Sequence, residues 1–135
     1  MKNSLTLILL LNVFSATFTY SQNPNIQIGF SGEWPNEPSI CMNPANPDQI
    51  IIGSVLDNYY TSGDGGLTWQ HGVINSSYGV NGDPVVLADS AGNFYYFHLV
   101  PDLSRIICHK MVGFLSPWSN ESFTAVYNDY DIDKE

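Results

Sequence analysis

The sequence predicts an all-β protein made of short antiparallel strands. Runs rich in β-branched and aromatic residues alternate with clusters of Gly, Pro, Asn and Asp, which are typical of turns. No stretch beyond residue 21 keeps an uninterrupted helical period of apolar residues. The predicted strands cover residues 26–30, 39–42, 49–56, 58–62, 93–100, 105–108 and 124–127, and the predicted turns cover 43–48, 63–66, 81–84 and 89–93.

Residues 1–21 are predicted to be a secretory signal peptide that precedes the fold. Lys2 supplies the positive start, residues 5–13 supply the apolar core, and Thr19 and Ser21 are small residues suited to cleavage. A membrane anchor is the alternative, but it needs about 20 apolar residues, and Asn12 interrupts this run. We therefore expect a product that is secreted or at the cell surface, with no membrane span after cleavage.

The charge balance narrows the choice of partners. Only 13% of the 135 residues are charged, about half the usual quarter, which excludes a coiled coil and a charged disordered tail. The 4 basic and 13 acidic residues give a net charge of −9. Because such a chain repels phosphates, nucleic acid is excluded as a partner. Loss of Lys2 with the signal leaves three basic residues against 13 acidic ones, a net charge of −10.

The predicted strands beyond residue 26 form a repeat. A strand, a polar turn and a second strand run through residues 38–53, and the same order begins again 46 residues later at Pro84. Trp69 and Trp118 close the two units. Four strands in 40 to 50 residues make one β-propeller blade. The sequence predicts blade 1 over about 26–75, blade 2 over about 80–128 and the start of a third blade at 129–135.

One turn contains a specific motif. Ser62, Asp64, Gly66, Thr68 and Trp69 match the pattern Ser-x-Asp-x-Gly-x-Thr-Trp at all five fixed positions. We expect Asp64 to accept hydrogen bonds from the backbone of the turn, and the glycines to allow positive φ. The hydroxyls of Ser62 and Thr68 would satisfy the remaining polar groups, and the Trp69 ring would insert into an apolar seam.

With this motif the chain resembles the BNR/Asp-box repeat family of sialidase-like β-propellers. The resemblance implies four-stranded antiparallel blades, six in a complete ring, of which this sequence would be an N-terminal fragment of about two. It also implies that the motif joins the third and fourth strands of a blade, away from the substrate face, and has a structural role. In the second unit only Trp118 of the motif remains.

The resemblance does not extend to the residues of sialidase chemistry. Members of the family hold the substrate carboxylate with three arginines, the first of which precedes an Ile-Pro pair. Asn36 stands at that place here, with Glu37 beside it. Arg105, the single arginine of the sequence, is expected to be a partner of Asp102 or an exposed cation. The nucleophilic Tyr and its Glu partner belong to later blades.

Two carboxylates are the candidates for an acid–base role. Asp57 lies between the second strand of unit one and the motif, where the family has its general acid, but a turn residue is the favoured interpretation. Asp83 resembles a substrate-face carboxylate of the family and is equally typical of a residue that starts a turn. We predict no cofactor and, for this chain alone, no catalysis.

An acidic segment near residue 130 is a candidate for metal binding. Asp129, Asp131 and Asp133 alternate as the ligands of a calcium loop do. However, Lys134 stands where such a loop needs Gly. A solvated acidic connection between blades is therefore the favoured interpretation, and no metal is predicted.

Cys41 and Cys108 lie in separate strand-like runs. Export would permit a disulfide, but the two strand faces would have to align within a few ångströms to form one. Two free thiols are therefore favoured over a bridge.

Two functions remain as hypotheses. The first is a secreted Asp-box propeller that binds a glycan or a protein without sialidase chemistry. The second is the N-terminal part of a glycoside hydrolase or lyase that acts on extracellular glycans, for which the resemblance implies an exo-sialidase-like class. Since two blades cannot close a ring, exposed strand edges also predict self-association. The aromatic residues that could stack on sugars, or pack blade on blade, are Trp34, Tyr59, Tyr60, Tyr78, Tyr95, Tyr96 and Phe97.

Overall fold

The structure is a computed structural model that describes residues 25–29, 32–33, 35–118 and 121–125. Trp34 and residues 126–127 of the predicted strand 124–127 lie outside this part of the chain, as do three whole predictions. They are the signal peptide at 1–21, the start of a third blade at 129–135, and the candidate metal ligands Asp129, Asp131 and Asp133.

The first half of the described chain folds into one antiparallel sheet, sheet 1. Its strands are β1 (Ser39–Asn43), β2 (Asn46–Ser54), β3 (Asn58–Ser62) and β4 (Gln70–Val73), hydrogen-bonded in chain order. The β-branched run of three isoleucines in β2 favours a strand that is covered on both faces. Accordingly Ile50, Ile51 and Ile52 are all at most 8% exposed.

The second half folds into a similar sheet, sheet 2. Its strands are β5 (Gly82–Ala88), β6 (Phe94–Leu99), β7 (Ile106–Met111) and β8 (Ser122–Phe123), again antiparallel and in chain order. No helix occurs among the described residues. The prediction of an all-β protein is therefore confirmed.

The strand predictions are accurate for the aromatic and β-branched runs, except at 124–127, where Thr124 and Ala125 have no regular structure. The prediction of a strand over 58–62 matches β3. The prediction over 26–30 is wrong for its described residues, because residues 26–28 have no regular structure and Gly29 lies in a bend. The sequence-based interpretation also missed β4, whose polar and glycine residues carry no strand signal.

A shared apolar core holds the sheets together. Strands β1 and β2 pack against β5. Gly53 allows this approach, since a Cβ atom there would lie 2.9 Å from Pro84 and from Tyr96. Each fully buried aliphatic side chain contributes about 1.5–3 kcal/mol. The buried members of the core are Ile51, Ile74, Val86, Phe94, Tyr96 and Met111.

The turns define two ends of the molecule. The turns at 43–46, 63–69 and 89–93 lie at one end, which we call the Asp64 end. The turns and loops at 55–57, 74–83 and 100–105 lie at the opposite one, the Asp83 end. The motif turn thus lies at the opposite end from both candidate carboxylates.

Both cysteines are free and half-buried, so the prediction of two free thiols is confirmed. Cys41 is on β1 and Cys108 is on β7. Burial raises the pKa of each thiol above its ordinary value.

Candidate functional site

The turn between β3 and β4 is held by a dense local hydrogen-bond network. The Ser62 hydroxyl donates to Asp64 Oδ1 (2.8 Å) and accepts the backbone N–H of Gly66 (2.8 Å). Asp64 in turn accepts the Thr68 backbone N–H at Oδ1 (2.9 Å) and the Thr68 hydroxyl at Oδ2 (2.6 Å). The Trp69 indole donates to the Gly66 carbonyl (2.9 Å). All five motif residues therefore lie in one turn and contact each other.

The hydrogen bonds of this turn stabilise the charged form of Asp64. Hydrogen bonds from the Thr68 side chain, the Thr68 backbone and Ser62 lower the pKa of Asp64 to about 2. Gly65 and Gly66 have φ of +71° and +90°, which side-chain-bearing residues rarely adopt. Because both carboxylate oxygens accept hydrogen bonds from the turn itself, the arrangement is suited to holding the backbone of the turn.

A second acidic turn at the same end was not singled out in the sequence. Asp89 Oδ1 accepts the backbone N–H groups of Ala91 and Asn93, both at 2.9 Å. Its Oδ2 accepts the Asn93 amide (2.8 Å) and the Tyr95 hydroxyl (2.9 Å). These bonds, led by the Asn93 side chain, lower the pKa of Asp89 to about 2. The turn was predicted, but the part played by Tyr95 required knowledge of its side-chain direction.

The two candidate acid–base residues both lie at the Asp83 end. Asp57 is in the β2–β3 turn and Asp83 is in β5. Gly82, next to Asp83, packs on the side chain of Val55. Neither carboxylate accepts a hydrogen bond from the described residues. Asp57 instead acts through its charge, which adds to the effect of burial in raising the pKa of Tyr96.

The backbone at Asp83 is strained. Its φ is +55°, and it lies where the β5–β6 register shifts between Gly82 and Val85. A residue before proline is normally extended, and Pro84 follows here. Left-handed backbone at a residue with a side chain costs of order 1–3 kcal/mol and is concentrated at functional sites. Asp83 is therefore the more notable of the two carboxylates.

A polar cluster on the outer face of sheet 1 includes Glu33, Asn58, Tyr60 and His71. The Tyr60 hydroxyl donates to Glu33 (2.7 Å), and the ring stacks on His71 with centroids 5.1 Å apart. Burial, together with this hydrogen bond and the Glu33 charge, raises the pKa of Tyr60 to about 12. Asn58 accepts the Nε2 hydrogen of His71, because its amide nitrogen already faces two carbonyls. These contacts fix the segment around Glu33 to the sheet.

Asn36 has a structural role. Its carbonyl accepts the backbone N–H of Val55 (3.0 Å) and the Ser54 hydroxyl (3.1 Å). Its side-chain oxygen accepts the N–H of Glu37 (3.0 Å). The side chain is thus directed at its own backbone.

Arg105 forms part of a cleft at the Asp83 end. Its guanidinium carbon lies 4.9 Å from the centre of the Tyr78 ring and 5.4 Å from that of Phe123. A cavity of about 190 Å³ opens here. We call it the Tyr78 cleft; its lining residues are Tyr78, Val100, Pro101, Asp102 and Arg105.

Asp102 stands at the mouth of the Tyr78 cleft. Its Oδ1 accepts the hydroxyl (2.7 Å) and the backbone N–H (3.1 Å) of Ser104. These hydrogen bonds, and then the charge of Arg105, lower the pKa of Asp102. The sequence predicts Arg105 as a partner of Asp102 or an exposed cation. It does not predict that the guanidinium lies over two aromatic rings.

Two buried histidines form a second polar cluster, inside sheet 2. The Nε2 atoms of His98 and His109 lie 3.2 Å apart, and their rings are stacked. His98 Nδ1 donates to the Leu99 carbonyl (2.9 Å), so in neutral His98 the Nε2 atom accepts and the bond between the rings runs from His109 Nε2–H. Glu121 lies 3.9 Å from His109. It also accepts the Ser77 backbone N–H (2.7 Å) and the Ser77 hydroxyl, which ties the loop before β5 to β8.

The described residues contain no group of three or more His, Cys, Asp or Glu side chains arranged to hold a metal ion. Within the same residues, no helix has the length and apolar character needed to cross a membrane.

Comparison of the chain with family models, with curated proteins and with solved structures finds no match.

Proposed function

We propose that sheets 1 and 2 are two consecutive blades of an Asp-box β-propeller, exported by the signal at residues 1–21. Three features support this. Both sheets are four-stranded meanders in chain order. Their first strands, β1 and β5, pack side by side, as the inner strands of neighbouring blades do. The motif turn joins the third and fourth strands of its sheet.

The function that the geometry favours is binding of an extracellular glycan, without sialidase chemistry. The observation that carries this proposal is the Tyr78 cleft, where an aromatic ring, a carboxylate and the single arginine line one cavity. An aromatic face and fixed polar groups are the usual means of holding a sugar ring. The first arginine of a sialidase-like carboxylate site would stand where Asn36 lies, so that arginine is missing.

A glycan array probed with the full chain tests this function. We expect retention of a limited set of saccharides, and no release of sugar when those saccharides are incubated with the protein. Retention of none would overturn the proposal in favour of a protein partner. Release of sialic acid would contradict the absence of sialidase chemistry.

The strained backbone at Asp83 supports the second function, an acid–base role in a glycoside hydrolase or lyase. The matched variants Asp57→Asn and Asp83→Asn distinguish it from binding alone. If turnover of a bound saccharide is found and falls at least about 100-fold in one variant, that carboxylate is catalytic. Binding without turnover, unchanged in both variants, contradicts this second function.

A further inference from the structure

We propose that the Tyr78 cleft binds an uncharged pyranose through two of its hydroxyls, in preference to an acidic sugar. This inference rests on the proposed glycan-binding function and specifies its site and ligand class. It depends on the hydrogen-bonding groups that the cleft leaves unused, on the local balance of charge, and on the size of the cavity.

The unused groups are a fixed donor fork and a fixed acceptor. The Arg105 guanidinium donates no hydrogen bond to the described residues, although the two aromatic rings hold it in place. Asp102 accepts hydrogen bonds from Ser104 at Oδ1, and no described residue donates to its Oδ2. A carboxylate accepts from hydroxyls and a guanidinium donates to them. Because both groups line the same cavity, they can bind two hydroxyls of one sugar, one as a donor and one as an acceptor.

The turns keep these groups in place. The Leu103 backbone N–H bonds to the Val100 carbonyl (3.0 Å), which sets the turn that carries Asp102. Tyr78 is held by its tilted contact with Phe123, 5.4 Å between centroids. Gly79, with φ of +76°, lets its loop approach Pro101, since a Cβ atom there would lie 3.1 Å from the proline ring. The walls of the cleft are therefore positioned without a ligand.

Charge disfavours an acidic ligand at this place. Asp102 lines the same cavity as Arg105, and its negative charge offsets the positive charge of the guanidinium. The whole chain has a net charge of −9, so its electrostatic field also repels anions. Volume limits the ligand further, because about 190 Å³ is below the roughly 300 Å³ of drug-sized pockets and suits a single ring.

Titration of the full chain with simple sugars, followed by NMR, tests the proposal. The probes are the methyl glycosides of glucose, galactose and mannose, with sodium glucuronate as the acidic counterpart. We expect at least one neutral glycoside to bind about tenfold more tightly than glucuronate. Arg105→Lys keeps the charge but loses the fork, and should weaken that binding about tenfold. Tyr78→Ala should weaken it about fivefold.

Lys110→Ala is the matched control. Lys110 also lies over an aromatic ring, 5.2 Å from the centre of Tyr95, but outside the cleft. Its loss should leave sugar binding unchanged. Should Arg105→Lys fail to fold by circular dichroism, Asp102→Asn provides the second test. This variant removes the negative charge that balances Arg105. The cleft should then bind glucuronate more tightly relative to the neutral glycosides.

Three outcomes would overturn the proposal in distinguishable ways. Tighter binding of glucuronate that depends on Arg105 would overturn the ligand class and leave glycan binding intact. Glycoside binding unaffected by Arg105→Lys and Tyr78→Ala would overturn the location. Absence of any bound saccharide on the array would remove the proposed function together with this inference.

Discussion

At the scale of single residues, Ser62 connects the two sides of the motif turn. Its hydroxyl donates to Asp64 and accepts from the Gly66 backbone, and the residue is 2% exposed. Ser62→Ala leaves both partners short of a hydrogen bond, so we expect the free energy of unfolding to fall by about 1–3 kcal/mol. Urea denaturation measures this loss. Ser90→Ala, in the exposed part of the Asp89 turn, should change it by less than about 0.5 kcal/mol.

Asp64 and Asp89 should make the protein sensitive to acid. Both carboxyls have a pKa lowered from 3.8 to about 2 by hydrogen bonds in the folded state. Their contribution to stability is therefore fully present above the unfolded value and is lost as the pH falls through the folded one. We expect the urea midpoint to drop between about pH 4 and pH 2. Asp64→Asn and Asp89→Asn should each flatten that drop; an unchanged slope in both would contradict the assignment.

Trp118 holds a buried polar group without a partner. Its Nε1 atom has no hydrogen-bond partner in the described part of the chain, while its ring makes edge contacts with Tyr59 and Tyr96. Trp118→Phe removes the unpaired N–H and keeps most of the ring, so we expect a change within about 1 kcal/mol. Trp118→Ala should cost about 3–5 kcal/mol. Thermal unfolding compares the two, and a large loss in Trp118→Phe would show that the indole N–H is satisfied.

Hydrogen bonds between residues close together in the sequence were predictable. Contacts between segments far apart in the sequence were not. The contacts of Asp64 span seven consecutive residues, so the motif alone indicated most of them. The Tyr78 cleft instead joins a loop before β5, the β6–β7 turn and a ring on β8. Only the pairing of strands brings those segments together, and the sequence holds no signal for that pairing at residue resolution.

At the scale of elements, the β1–β2 and β5–β6 turns are built alike. Asn43 accepts the N–H of Ala45 (2.9 Å), as Asp89 accepts that of Ala91. The two turns also touch, because a Cβ atom on Gly92 would lie 2.8 Å from the Asn43 amide. This contact fixes the Asp64 ends of the two sheets to one another.

Gly92 should therefore tolerate substitution less than Gly65 does. Gly92→Ala combines a φ of +79° with the clash on Asn43, whereas at Gly65, with φ of +71°, the nearest atom is 3.4 Å away. We expect losses of about 2–4 kcal/mol and about 1 kcal/mol respectively. Chemical denaturation of both variants measures the difference, with Gly32→Ala as the control because nothing lies near its Cβ position. Equal losses would contradict the contact between the turns.

The errors in the strand predictions have physical causes. The alternation in 26–30 suggested a strand, but Gly29 is pressed against Pro35, where a Cβ atom would lie 2.8 Å from the ring. The segment covers the outer face of sheet 1 near Tyr60. Strand β4 forms despite its weak signal because Gly72 lies under the Tyr59 ring, too close for any side chain. Tertiary packing decided both cases.

At the scale of the whole molecule, each sheet exposes large apolar side chains on its outer face. Ile40, Met42 and Leu87 are 63%, 57% and 52% exposed. Such surface favours association. We expect the purified chain to self-associate, and Met42→Lys and Leu87→Lys to shift its sedimentation towards monomer. Ser90→Lys serves as a control for added charge, and a compact monomer at every concentration would argue against a propeller fragment.

Every strand in the structure is bonded only to its predecessor and successor in the chain. The loops that must close are therefore short, and their entropic cost is small. Sheet 1 needs no residue beyond Val73 for its hydrogen bonds, so it can form while the remainder of the chain is still being synthesised. Sheet 2 can then add to a surface that already exists.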